Sequence, residues 1–288
     1  MSHRKLNTKR LNRSLGGDIF SIAVLVVFGS FMVLPMIYAI SNAFKPLDEL
    51  FMFPPRFFVR NPTLDNFRDL FLLMAQSWVP FSRYIFNTLF ITAAGTAGHV
   101  VVASMAAYAL EKHKFPGARL FFSIVVTSLM FSSVVTAIPN YLVMAKLNWL
   151  DTYLALIVPA FGYPLGLFLM KQFMETVPDS LLESARMDGA SEFRTFWTIA
   201  MPCVKPAWLT LVIFSFQMLW GNTGSTFIYS EELKTLPYAL NQILMGGFAR
   251  AGVGAAVVLF MMIVPVTLFM VTQSSIIQTM AKSGLKDD

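Results

Sequence analysis

A chain of 288 residues that is 56% apolar, 14% aromatic and only 13% charged has too little polar surface to close into a soluble globular domain, so it is read as an integral membrane protein. Its net charge of +6 is spread over short loops and the N-terminus instead of forming a basic face, a placement that orients a membrane protein and argues against nucleic acid as a partner. Cys203 is the single cysteine, which excludes an intrachain disulfide and a cysteine-based metal cluster.

Residues 1–17 form a basic segment with Arg4, Lys5, Lys9, Arg10 and Arg13. The apolar stretch 19–41 that follows is too long for the hydrophobic region of a signal peptide and lacks a small-x-small cleavage site, so it is predicted to be a retained anchor. Five further apolar spans are predicted at 84–110, 120–145, 152–173, 207–229 and 251–278. The fold class is therefore all-α, a membrane domain over 18–288 whose six helices are each long enough to cross ~30 Å of hydrocarbon. With the N-terminus inside, the inner segments hold 14 Lys and Arg and the outer ones 8. That bias predicts both termini in the cytoplasm, together with the 178–206 loop. The outer loop 43–83 carries Pro54, Pro55 and Pro62 among aromatics such as Phe51, Phe53 and Phe67, and its fixed turns predict an ordered cap.

Within the spans, small residues recur four apart at Ala94 and Gly98, Ala103 and Ala107, and Gly162 and Gly166, a spacing that lets helices approach closely. Pro139, Pro159, Pro164 and Pro265 also lie inside spans, where each frees a backbone carbonyl and can kink its helix. Freed polar groups at membrane depth need protein or a wet cavity around them, which fits a pathway through the middle helices. The span interiors hold no Asp, Glu, Lys or Arg. His99 alone could titrate there, and its expected use is a hydrogen bond within the bundle.

The loop between the fourth and fifth spans is amphipathic and charged. Ser180 and Glu183 have capping-box spacing, which predicts a helix starting there, and Asp188-Gly189 predicts its end because glycine accepts the left-handed conformation. Ser191 can cap a second helix whose Phe193, Phe196, Trp197 and Ala200 fall on one stripe suited to the membrane interface. Met201-Pro202 is expected to stop it.

Glu183-Ser184-Ala185, then Gly189 four residues after Ala185, then Met201-Pro202, closely resembles the EAA loop of permease subunits of bacterial ABC importers, with Ser184 where that family most often has alanine. Several further patches occur in the order seen in the carbohydrate-uptake, maltose-transporter-type branch. They are Pro62-Thr63-Leu64-Asp65-Asn66-Phe67, Phe86-Asn87-Thr88, Ala106 to Leu110 with Phe115-Pro116-Gly117, Leu150 to Leu156, Lys205-Pro206-Ala207 and Thr235-Leu236-Pro237. The resemblance implies that Glu183, Ser184, Ala185, Asp188, Gly189 and Ala190 belong to a coupling loop that docks on a cytoplasmic ATPase. It also implies a second, related permease chain, two ATPase subunits, an extracytoplasmic solute-binding protein and a bacterial inner-membrane location. No Gly-Lys-Ser/Thr phosphate loop is present. The chain is thus expected to bind no cofactor itself, with ATP and Mg used by the partner ATPase.

An enzyme is disfavoured because His3, His99 and His113 show neither metal-ligand nor triad spacing, so no catalytic or metal residue is assigned. Sugars need hydroxyl-matching polar groups and flat aromatic faces, and the fifth span offers both. Gln217, Asn222 and Thr223 are the candidates for a substrate path, with hydrogen bonding between helices as the competing use. Similar permeases commonly have a Trp-Asn pair here, whereas this chain has Trp220-Gly221-Asn222. The reading is a permease subunit for a carbohydrate, an oligosaccharide by preference, working by alternating access. A permease for a non-sugar solute is the alternative. A secondary transporter or channel fits less well, because such proteins usually carry an intramembrane acid or base as coupling site.

Overall fold

The computed structural model describes residues 15–283, and no β-strand occurs among them. Apart from 15–17, the basic N-terminal segment lies outside the described residues. Helix α1 (Leu15–Ala43) is predominantly apolar after Asp18 in its first turn, and α2 (Leu47–Leu50) and α3 (Asp65–Ala75) fold the loop after it. That loop buries three polar side chains and satisfies each of them. Asn66 donates to the carbonyls of Ala43 and Lys45, the Lys45 ammonium donates to Asn42 Oδ1 and the Arg56 carbonyl, and the Glu49 carboxylate accepts the Arg60 and Asn61 amides. Buried polar groups paired in this way give the segment a single conformation.

Helix α4 (Phe81–Lys112) is the axis of the bundle. It packs against α7 (Leu154–Phe161), α8 (Pro164–Glu175) and α12 (Lys205–Trp220), while α14 (Ala251–Ser283) packs on α12, α1 and α3. The helices come close because small residues line α4. A Cβ added at Gly98 would lie 2.0 Å from the Phe161 ring, and Ala103 and Ala107 are fully buried. Helices α5 (Ala118–Ser128) and α6 (Ser133–Lys146) lie at the edge, and α13 (Leu236–Leu244) covers the start of α4.

The segment 120–145 is not the single helix expected. It breaks at 129–132, and neither α5 nor α6 has spanning length. The cause is local chemistry. Thr127 and Ser128 bond back to the carbonyls of Ser123 and Val125, and the Ser132 hydroxyl accepts the Val134 amide to start a new helix. Such side chains offer the backbone alternatives to helix continuation. The span expected at 207–229 likewise stops at Trp220, so its last part is loop. Pro159 sits inside α7, whereas Pro164 starts α8 and marks a break at Gly162-Tyr163 instead of a kink.

Four helices are long and apolar enough to cross a membrane: α1, α4, the 154–175 pair α7–α8, and α14. A fifth is added if 192–203 and 205–220, which meet at an angle of 83°, form one broken span. Pro206 explains that bend, since it removes a helix amide and restricts the residue before it.

Candidate functional site

Helix α9 (Asp179–Met187) begins two residues earlier than the capping box requires. Pro178 occupies the cap, with no side-chain bond, and Asp179 opens the first turn. Glu183 therefore sits in the second turn, out of reach of the amide it was expected to cap, and is exposed with no hydrogen bond or ion pair among the described residues. Ser184 is exposed and its hydroxyl donates to the Ser180 carbonyl. Leu182 and Ala185 point the other way and are buried, Leu182 in one cluster with Met174, Val177 and Phe196.

The helix ends at Gly189, whose φ of +80° is the left-handed closure anticipated. Asp188 is exposed at the C-cap, the Ala190 amide donates to the Ala185 carbonyl, and Ser191 accepts the Arg194 amide as the next cap. From there the chain runs through α10 (Glu192–Thr195), one π-helical turn over Phe196–Ala200, and α11 (Met201–Cys203). The helix continues past the expected stop at Met201-Pro202. The wider π turn also splits the predicted stripe: Phe196 and Ala200 are buried, while Phe193 and Trp197 face outward.

Charges tie this element to the end of α4. Arg186 donates to both oxygens of Glu192, at 2.7 and 3.3 Å, and the Tyr108 hydroxyl donates to Glu192 at 3.2 Å. Lys112 is buried and donates to the Val177 carbonyl and to Asp179, each within 2.8 Å. The Lys112 ammonium holds the Asp179 carboxyl below the usual carboxylate range. None of these links was read from the sequence; the signal available was Arg186 and Glu192, opposite charges flanking the Gly189 turn.

At the other end of α4, Asn87 is fully buried and donates to the carbonyls of Glu232 and Lys234, both at 2.8 Å, while accepting the Tyr153 hydroxyl at 2.7 Å. Thr88 accepts the Leu236 amide at 2.7 Å. The Thr235 hydroxyl bonds the carbonyls of Asn222 and Thr223, and the Asp151 carboxylate accepts the amides of Tyr229 and Ser230 and the Ser230 hydroxyl. Ser230 and these amides lower the Asp151 pKa. Three separate sequence patches, at 86–88, 150–156 and 235–237, thus meet in one cluster.

The candidate path residues do not form one group. Gln217 is exposed on α12, whereas Asn222 and Thr223 lie in the loop after it. Asn222 closes a local turn through the Gly224 amide, and Thr223 pairs with Ser225. His99, 1% exposed, pairs through Nδ1 with Ser215 Oγ at 2.8 Å, as expected for a bundle histidine. Among the described residues no group of three or more His, Cys, Asp or Glu is placed to hold a metal ion.

An all-helical bundle with a charged helix-turn-helix at one end of its central helix and a hydrogen-bonded loop cluster at the other defines a multi-span membrane component of the transporter class. Residues 99–282 match the family described as the binding-protein-dependent transport system inner membrane component, and the chain belongs to that family. It is 34% identical over 225 residues to protein LplC of Bacillus subtilis (strain 168), covering 76% of this chain and 72% of that one. It is 31% identical over 208 residues to the sn-glycerol-3-phosphate transport system permease protein UgpE of Yersinia enterocolitica serotype O:8, covering 72% and 74%. The fold is that of a chain from a bacterial ABC transporter involved in the import of the acidic polysaccharide alginate, with a TM-score of 0.74 at 22% identity over 91% of this chain and 98% of that one.

Proposed function

We propose that this chain is a permease subunit of an ATP-driven importer for a carbohydrate. In this reading it crosses the membrane six times, with the third crossing broken at 129–132 and both termini in the cytoplasm. It pairs with a second permease chain, two ATPase subunits that use ATP and Mg, and an extracytoplasmic solute-binding protein. The family description and the transport roles named for UgpE and the alginate transporter support it.

The observation that carries the mechanism is the two-faced α9. Leu182 and Ala185 are buried and seat it on the bundle, while Leu181, Glu183, Met187 and Asp188 face outward and are exposed. An ATPase surface would supply the apolar and basic groups that those side chains lack. Movement of α9 would reach α4 through Tyr108 and Lys112, and α12 through Phe196 and the bent connection at Val204. Helix α12 carries Gln217, an exposed amide at membrane depth that requires a wet path or a polar partner. Tilting α12 would therefore change access to that path.

Gly189→Val tests the reading. Nothing lies within 4 Å of an added Cβ, so the change acts through the left-handed backbone alone, at roughly 1–2 kcal/mol. Glu183→Ala removes no hydrogen bond or ion pair among the described residues. Both variants are expected to insert and to bind the second permease, yet to lose sugar uptake and the ATPase stimulation given by loaded binding protein; Arg119→Gln serves as control. Normal uptake and normal stimulation in both variants would overturn the coupling role.

A further inference from the structure

The imidazole of His99 uses only one of its nitrogens. Nδ1 is bonded to Ser215, while Nε2 is buried beside the Tyr163 backbone with no hydrogen-bond partner among the described residues. Leaving such a group orphaned is costly, so it calls for a water or a ligand. A cavity of about 210 Å³ adjoins it between α8 and α12. At about 30 Å³ per water this holds roughly seven waters, and it is smaller than the ~300–1,000 Å³ of pockets for drug-sized molecules. It therefore suits a single small ring.

The walls narrow the chemistry. Tyr163 and Phe214 line the cavity and are 43% and 47% exposed, so they stand at its mouth, while Ser215 and His99 form its interior wall. Gly166 is needed there, because a Cβ on it would come within 2.1 Å of His99 Nε2. Gln217, one turn along α12 from Phe214, is exposed on the same side. Aromatic faces beside a few neutral polar groups match the apolar face and hydroxyl rim of a sugar ring. A hydroxyl also suits either imidazole tautomer, since it can both donate and accept. None of the lining residues is Lys or Arg, so nothing there compensates a carboxylate or phosphate.

We infer that this cavity is a subsite for one pyranose ring of a neutral sugar, with His99 Nε2 bonding a ring hydroxyl, Ser215 fixing the imidazole, and Tyr163 or Phe214 against the apolar face. The inference rests on the permease reading and adds a substrate class to it. It separates this site from the anionic cargoes named for UgpE and the alginate transporter.

The test uses the assembled transporter in lipid nanodiscs, with Cys203→Ser to remove the native thiol and Leu165→Cys as a reporter at the cavity mouth. Modification of the reporter thiol by a small methanethiosulfonate is timed alone, with methyl glucoside, galactoside or mannoside, and with galacturonate or sn-glycerol 3-phosphate. At least one neutral glycoside should slow the reaction while the anions do not, and His99→Phe should weaken that protection about fivefold or more, the effect of one lost hydrogen bond. An unreactive reporter, no protection by any glycoside, equal protection by the anions, or protection that survives His99→Phe would each overturn the subsite. ATP hydrolysis by the same preparation separates the two ideas: absence of a bound ATPase sinks the importer reading, whereas an active ATPase with an unprotected reporter sinks only the subsite.

Discussion

Thr88 and Tyr108 stand about twenty residues apart on α4, or ~30 Å at helical rise, and the two ends of that helix are held by opposite kinds of force. Around Thr88 the bonds made by Asn87 and Thr88 themselves are buried and neutral, an amide, a hydroxyl and backbone carbonyls each with a partner, and the Glu231–Lys234 ion pair lies at their edge. Around Tyr108 they are ionic and reach side chains half in solvent, with Arg186 and Glu192 39% and 51% exposed. Buried neutral bonds resist breaking because an orphaned partner keeps its full desolvation cost, while exposed ion pairs are screened and cheap to exchange. On the proposed function, the first end would be the fixed point and the second the seat from which α9 shifts, with Leu182 buried beneath it.

Asn87→Leu should break the fixed end most severely. It leaves the Lys234 carbonyl and the Tyr153 hydroxyl unpaired and the Glu232 carbonyl with its Arg83 bond alone, and at ~1–3 kcal/mol per orphaned group the loss is about 2–6 kcal/mol. A large fall in the unfolding temperature of the detergent-solubilised protein is expected; an unchanged temperature would mean that the cluster is not what holds 231–236. At the seat, Glu192→Gln removes the Arg186 pair at about 0.2–1 kcal/mol, and the difference from the parent should shrink further in high salt. A loss as large as that of Asn87→Leu would erase the contrast between the ends.

The smallest effect concerns pH. The folded-state pKa of Asp151 lies below its unfolded value, so its contribution is present above the ordinary carboxylate pKa of ~3.9 and is lost as pH falls through the lowered one. Protection of the Tyr229 and Ser230 amides from hydrogen exchange, taken relative to the intrinsic rate at each pH, should persist down to about pH 4 and fall only below it. A fall already near pH 6 would assign the protection to another group.

Much of this was legible in short range. The helix end at Gly189 and the cap at Ser191 depend on a few adjacent residues, and the apolar lengths of α1, α4 and α14 depend on composition alone. Where a local signal had a local rival, reading failed. Pro178 took the cap from Ser180, and the Thr127 to Ser132 hydroxyls ended a helix that hydropathy would have continued.

The sequence by itself determined that this chain lives in a membrane, where its helices are apolar and which loop carries charge, because burial in hydrocarbon and turn formation act residue by residue. Tertiary structure alone decided that Gln217 faces outward, that Glu183 has no partner among the described residues, and that His99 keeps one nitrogen unpaired beside a cavity. The last of these depends on His99 of α4 meeting Ser215 of α12 from more than a hundred residues away, and no local pattern encodes that meeting.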